Sequence, residues 1–229
     1  MKIIARIRTD FSDKFGIPRQ SGLVPSLRGK IVFEPPYRNP DALRGLEGFS
    51  HLWLIWEFSQ AKRDSWSPTV RPPRLGGNAR VGVFATRSPF RPNPIGLSCV
   101  KIEGIELDGP EGPEITVSGA DMLDGTPIYD IKPYLPYADS HPEARDGFAG
   151  EKRDYGLRVR CPDALLSQIP APHRKTVLAL LAQDPRPSYQ NDPDRVYGMA
   201  YAGMDIRFRV DEQELQVVEI KRSPSSGEK

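Results

Sequence analysis

Two short stretches gather the side chains most able to do chemistry. In Arg87-Ser88-Pro89-Phe90-Arg91-Pro92-Asn93-Pro94-Ile95-Gly96, prolines alternate with two arginines and an asparagine. Pro89, Pro92 and Pro94 fix their own φ and push Ser88, Arg91 and Asn93 away from helix. Such a loop is ordered before a ligand arrives, so binding costs less ordering entropy. Arg87 and Arg91 bring planar donor forks suited to a carboxylate or phosphate. Asn93 adds an amide donor and acceptor, and Gly96 allows close backbone approach. A stiff surface connector would account for the prolines, but not for two arginines and an asparagine together.

The second stretch is DMLDGTPIYDIKPYLPYAD, residues 121–139. Asp124-Gly125-Thr126-Pro127 has the composition of a tight turn, with Gly125 free to take positive φ. A plain hairpin turn explains those four residues. It explains Asp130, Lys132 and Tyr134 less well, because they set a carboxylate, an ammonium and a phenol beside Pro133 at a strand end. Those groups suit proton transfer and anion binding.

Other chemistries lack their signatures. No G-x-G-x-x-G follows a strand, and there is no P-loop or G-x-S-x-G elbow. His51, His141 and His173 are scattered, which disfavours a histidine-based hydrolase. Cys99 and Cys161 lie far apart without ligand spacing, so no metal is expected. No run of 18 apolar residues occurs, and the N-terminus is too poor in apolar residues for a signal peptide. The expectation is a reduced, soluble, cytoplasmic protein without a membrane partner.

Charge is unevenly spread. Residues 61–100 carry a net +6 and residues 103–130 a net −8, within a chain whose net charge is only +2. The basic run could attract a polyanion; alternatively the two runs pair with each other in the fold.

The elements that must position these loops are short. Proline reaches 24 of 229 residues, spread through the chain, which argues against a doubly wound α/β sheet. Strands are expected at Lys2–Arg8, Lys30–Phe33, His51–Phe58, Arg80–Thr86, Ile95–Leu107, Glu114–Ala120 and Ile128–Ile131. HLWLIWEF, residues 51–58, is almost wholly apolar and reads as a strand buried on both faces. A short helix is expected from Asp41 to Leu46, capped by Asn39 or Asp41, and turns at Asp121–Pro127 and Lys132–Asp139. The pattern predicts a mainly β fold, a β-barrel or sandwich, over residues 1–139, then a polar linker, residues 140–156. A small α+β C-terminal domain is expected over residues 157–222, with helices at Cys161–Ile169 and Arg174–Gln183. A hairpin around Gly203 and a strand at Leu215–Arg222 complete it, and residues 223–229 read as a flexible tail.

The two loops resemble signatures of the TrmO family, also called TsaA or YaeB-like. RPPRLGGNARVGVFATRSPFRPNPIGL is similar to its central block nearly residue for residue; GIPRQSGL, LRGLEGFSHLWLIWEF and LAQDPRPSY also match, in order, across essentially the whole chain. The resemblance implies a non-Rossmann β-barrel methyltransferase that uses S-adenosylmethionine. It implies N6-methylation of N6-threonylcarbamoyladenosine at position 37, next to the tRNA anticodon, by a homodimer with the cofactor near the subunit interface. Carried over, the cofactor positions are Arg19, Gln20, Ser21, Ser59, Gln60, Arg87, Gly96, Leu97, Leu123, Asp124, Gly125 and Thr126. The chain departs at Ser59-Gln60, where family members often carry His-Gln.

Such a reaction needs a proton acceptor for the weakly nucleophilic N6; Asp130 is the first expectation and Tyr134 the second. It needs a cation for the threonyl carboxylate, from Arg87, Arg91 or Lys132, with Asn93 able to read the carbonyl. Lys62, Arg63, Arg71, Arg74, Arg207 and Arg209, with Trp66 and Tyr189 for stacking, could meet the tRNA backbone. Two other classes compete: a barrel that senses S-adenosylmethionine or binds RNA without methyl transfer, and a hydrolase built on Asp124 and Asp130. Methyl transfer separates the first from the enzyme reading, and a metal requirement would favour the second.

Overall fold

Alternation of apolar and polar residues, not helical periodicity, organises the chain. The structure is a computed structural model that describes residues 1–61, 65–72, 79–152, 155–186 and 192–222. Strands β1 (Ala5–Thr9), β2 (Arg28–Phe33), β3 (His51–Glu57), β4 (Thr69–Val70), β5 (Val81–Gly82), β6 (Ile95–Glu106), β7 (Glu114–Ser118) and β8 (Pro127–Pro133) come first. Helices α1 (Pro136–Asp139), α2 (Asp163–Leu166) and α3 (Ala171–Ala182) follow, with strands β9 (Arg158–Arg160), β10 (Tyr197–Tyr201), β11 (Met204–Asp211) and β12 (Glu214–Arg222).

β1, β2, β7, β6, β3 and β8 close into an antiparallel barrel, β8 returning to β1. Ala5, Ile7, Ile31, Leu52, Leu54, Trp56, Val100, Ile115, Val117 and Ile128 fill it. Closure removes sheet edges, which lets short strands serve. Long β6 pairs with β3 through its first half and with β7 through its second. The β3 expectation is corrected: Leu52, Leu54 and Trp56 are buried, while His51, Trp53, Ile55 and Glu57 face outward half-covered. Outward Trp53 and Ile55 are large and apolar, so composition hid the two-residue period.

Other local readings shift too. The expected strand Arg80–Thr86 survives only as Val81–Gly82, because Val83–Ala85 turns into a 3₁₀ segment whose Val83 carbonyl accepts from both the amide and hydroxyl of Thr86. The helix at 41–46 is a 3₁₀ turn, Pro40–Leu43, capped by Asn39 and ended by Gly45 at φ +89. Lys132 belongs to β8 rather than to a turn, and Pro136–Asp139 forms one helical turn. Asp163–Leu166 is shorter than expected and Ala171–Ala182 starts earlier, Pro172 being tolerated in its first turn. The 140–156 segment contains a 3₁₀ stretch, Gly147–Lys152.

In the C-terminal part, β10, β11, β12 and β9 form a sheet in that order, and β9 pairs parallel to β12. Ala202 and Gly203, at φ 49 and 70, make the tight hairpin turn between β10 and β11. Met204, Ile206, Phe208 and Val210 face inward as the alternation predicts. Their core also contains α3 residues Val177, Leu180 and Leu181, and three residues from far upstream: Phe11, Val24 and Leu27. The loop between β1 and β2 is therefore built into the C-terminal core. Phe11 lies 5.1 Å from the Tyr201 ring, Thr176 Oγ1 donates to Ser26 Oγ at 2.9 Å, and the Ala202 amide donates to the Asp10 carbonyl at 3.0 Å. Sequence distance hid this exchange.

Candidate active site

Antiparallel closure brings the end of β1, the start of β2, the ends of β3 and β7, and the starts of β6 and β8 to one rim. The stretches carrying the expected cofactor residues converge there. Arg87 Nη1 donates to Gln20 Oε1, joining the proline-rich loop to the loop after β1. The Gly22 amide donates to the Gly119 carbonyl at 2.9 Å, docking that loop on the exit of β7. The Phe58 amide donates to the Pro94 carbonyl at 2.8 Å, which sets exposed Ser59 and Gln60 beside the same proline-rich loop.

Gly96 is packed flat: a Cβ there would collide with the Trp56 indole. Leu97, next in line, is 54% exposed, so the rim leaves an apolar side chain open to a ligand.

The 123–126 turn is a rigid wall. Asp124 Oδ1 accepts from the Thr9 amide at 3.0 Å, and the Asp124 and Gly125 amides donate to Phe11 and Ile7 carbonyls at 3.0 and 2.8 Å. Thr126 Oγ1 donates to the Leu123 carbonyl at 2.7 Å, and Arg6 Nη1 to the Gly125 carbonyl at 3.1 Å. Gly125 sits at φ +73, the left-handed region its residue type permits.

The expected catalytic residues divide. Arg91 and Asn93 lie on the proline-rich loop at the rim, but Arg91 Nη1 donates to the Thr86 carbonyl at 3.0 Å and its guanidinium lies 6.0 Å from the Phe84 ring. Asp130, Lys132 and Tyr134 descend the outer wall. Asp130 is in register with Ile55 and Lys132 with Trp53, while Tyr134 packs on Trp53 and His51 at ring distances of 5.8 and 6.2 Å. At about 3.3 Å per strand residue, Tyr134 is roughly 25 Å along the chain from Thr126. Within one chain the structure does not bring Tyr134 to that rim.

Asp130 is better placed. A bulge between Ile55 and Trp56 inserts Tyr129 as an extra residue and turns Asp130 outward after inward Ile128. Lys132 Nζ lies 3.2 Å from Asp130 Oδ2, and the Ile131 amide donates to Oδ1 at 3.0 Å. Asp130 and Tyr129 line a shallow cleft of about 430 Å³ with Lys2, Tyr37 and Ile55. Partial burial and a hydrogen bond to Glu57 push the Tyr129 phenol up from its ordinary value.

Sequence reasoning missed Asp121. Ser98 Oγ donates to Asp121 Oδ1 at 2.6 Å, and Trp56 Nε1 donates to Ser98 Oγ at 2.9 Å. Burial pushes the Asp121 carboxyl up to about 6, opposed by Ser98, the Ser21 amide and the charge of Arg87. Its only sequence signal was a carboxylate directly before a buried apolar residue, Met122.

Among the described residues, no ion pair joins the two charged runs. Among the described residues, Glu103 pairs with Arg28 and Lys101, Glu114 with Lys30 and Glu111 with Arg38. Of the expected tRNA contacts, Lys62, Arg63, Arg74 and Tyr189 lie outside the described residues. Arg71 and Trp66 are exposed, Arg209 faces outward, and Arg207 is engaged by Asp205 and Glu219 at 3.1 and 3.7 Å. Among the described residues, no group of three or more His, Cys, Asp or Glu is placed to hold a metal, and no helix is long and apolar enough to cross a membrane.

The rim can be tested against S-adenosylmethionine, which carries a carboxylate, an aromatic base and a cationic sulfur. A guanidinium held by a glutamine amide, an exposed leucine and nearby carboxylates fit those three parts. Known proteins point to the same cofactor. The tRNA-methyltransferase O N-terminal domain matches residues 6–140, and the TrmO C-terminal domain matches residues 155–223. A tRNA (adenine(37)-N6)-methyltransferase of Escherichia coli is 40% identical over 222 residues, covering 93% of this chain and 94% of that protein. RcsF of Pseudomonas aeruginosa, named as an S-adenosylmethionine-dependent methyltransferase, is 43% identical over 90% of each chain. The crystal structure of TrmO from Pseudomonas aeruginosa superposes with a TM-score of 0.77 at 35% identity, over 96% of this chain and 95% of that one. With a closed six-stranded barrel, a rim built from its signature loops and both family domains matched in order, the chain belongs to the TrmO family.

Proposed function

We propose that the protein methylates N6 of N6-threonylcarbamoyladenosine at position 37 of tRNA, using S-adenosylmethionine. The observation that carries this reading is the convergence of the Arg87–Gln20 contact, open Leu97 and the 123–126 turn on one barrel rim. They stand in a chain 40% identical to a tRNA (adenine(37)-N6)-methyltransferase over 94% of that relative.

Bound at the rim, S-adenosylmethionine supplies an activated methyl group. Arg87, fixed by Gln20, would hold the cofactor's carboxylate; Leu97 and Leu123 would offer apolar contact, with Arg19, Ser21, Ser59 and Gln60 around them. The 123–126 turn has few free amides, so its part is to shape the pocket and keep water out. Asp130 accepts the N6 proton; Lys132 and the Ile131 amide orient its two oxygens. Lys132 and Arg91 are the cations available to the threonyl carboxylate, and exposed Asn93 can read its carbonyl. For Arg91 this requires release from the Thr86 carbonyl.

A homodimer is part of the reading. Phe84, Trp66, Leu97 and Phe90 are 71, 52, 54 and 41% exposed, an apolar set that a second copy could cover while shielding the rim. Acting on tRNA, the enzyme belongs in the cytoplasm.

The test is methyl transfer from labelled S-adenosylmethionine to two tRNA pools, one carrying threonylcarbamoyladenosine and one lacking it, followed by nucleoside digestion. The reading requires label in the first pool only, on the threonylcarbamoylated nucleoside. Label in neither pool, with tight cofactor binding, would leave a sensing or RNA-binding barrel.

A further inference from the structure

We propose that Asp121 is a positioning residue for the methyl donor: its carboxylate, tethered to the barrel wall by Ser98 and Trp56, orients Arg87 and the 19–21 loop. The inference rests on the reading of the rim as the donor site. Three elements meet Asp121. From β6 comes the Ser98 hydroxyl at 2.6 Å, itself held by Trp56 of β3 at 2.9 Å. From the loop after β1 comes the Ser21 amide, and from the proline-rich loop the charge of Arg87, both favouring the ionised carboxylate. Two residues upstream, Gly119 at φ +78 touches the Gly22 backbone so closely that a Cβ there would lie 3.2 Å from it. The loop carrying Arg19, Gln20 and Ser21 thus docks on the segment that carries Asp121.

The chemistry is asymmetric. Ser98 donates to a single Asp121 oxygen, and a neutral amide oxygen could accept that bond as well. Beyond Ser98 and the carboxylate's own backbone amide, the groups that gain from the negative charge are Arg87 and the Ser21 amide, both assigned to the donor site. Burying a carboxylate is costly, so the fold carries a charge whose benefit lies at the rim. With burial pushing the carboxyl to about 6, the charge is present at pH 8 and lost near pH 5.

Calorimetric titration of S-adenosylhomocysteine from pH 5 to pH 8 tests this, on the wild type, Asp121→Asn, Arg87→Ala and their double variant, with melting curves at pH 8. The wild type is expected to hold constant affinity above pH 7 and weaken about tenfold per unit below pH 6. Asp121→Asn is expected to bind at least tenfold weaker at pH 8, to lose that pH dependence, and to melt no lower than the wild type. The double variant is expected to be no weaker than the weaker single, since one residue acts through the other. A flat wild-type profile, additive single effects, or Asp121→Asn binding like wild type would overturn the proposal. Loss of affinity only in step with a lower melting temperature would overturn it too. A wild type that binds no S-adenosylhomocysteine at any pH would instead refute the rim as donor site.

Discussion

Replacing Phe11 with alanine probes how the C-terminal half holds the donor loop. Phe11 is 1% exposed, its ring packs tilted against Tyr201 at 5.1 Å, and its carbonyl accepts the Asp124 amide at 3.0 Å. Removing a fully buried phenylalanine side chain costs about 3–5 kcal/mol, of which the ring pair contributes about 0.5–1.5. Against a domain stability of about 5–15 kcal/mol, the variant should still fold at low temperature. Its loop, however, loses the anchor that places both Arg19–Ser21 and the 123–126 turn. Urea unfolding followed by tryptophan fluorescence should show a loss of at least about 3 kcal/mol. Titration of S-adenosylhomocysteine onto the folded variant at 15 °C should show at least tenfold weaker binding. Phe11→Leu keeps most of the apolar volume and should lose about 1 kcal/mol, with affinity within threefold of wild type. A folded Phe11→Ala protein with wild-type affinity would refute the link between the C-terminal core and the site. A stability loss below about 1 kcal/mol would refute the packing itself.

Further outcomes follow from other contacts. Gly96→Ala should displace the Trp56 indole and break its bond to Ser98, costing about 1–3 kcal/mol and weakening cofactor binding, read by thermal melt and titration. Arg87→Ala should weaken S-adenosylhomocysteine binding at least tenfold, with little change in melting temperature because Arg87 is exposed. Asp184→Ala should cost about 3–5 kcal/mol, because Arg186, 8% exposed, would lose the carboxylate that holds it at 2.9 and 3.0 Å. Burial opposes ionisation of Asp184, but Arg186 and Tyr155 outweigh it and hold its carboxyl below the ordinary range. Its stabilising contribution is therefore present above about pH 4 and lost as pH falls through the lowered value. Denaturant midpoints between pH 5 and pH 2 should consequently fall more steeply for wild type than for Asp184→Ala.

The residues that announced the site in the sequence were those whose types are unusual for their local role. Arg87, Arg91 and Asn93 stood out among prolines, and Asp130 and Lys132 at a strand end, because no turn requires them. A barrel or sandwich was legible from short strands and dispersed prolines, and the family resemblance chose the barrel. What the sequence concealed depended on closure and on distant contacts. The outward face of β3 is apolar enough to mask its two-residue period, so half-covered Trp53 and Ile55 read as core. The register bulge at Tyr129, which turns Asp130 outward, exists only in the pairing of β3 with β8. Phe11 and Tyr201 are 190 residues apart, and nothing in either neighbourhood signals that their rings meet. In LAQDPRPSY the motif was visible, but Asp184 and Arg186 acquire their role only when buried beside Tyr155. Asp121 passed for one acid in an acidic run because burial, not residue type, sets it apart.

A crystal structure with S-adenosylhomocysteine bound tests the central claim most directly. The account predicts the ligand on the barrel rim, its carboxylate on Arg87 beside Gln20 and its remaining surface against Leu97 and the 123–126 turn. Density in the outer cleft lined by Lys2, Tyr37 and Asp130, with the rim empty, would contradict it.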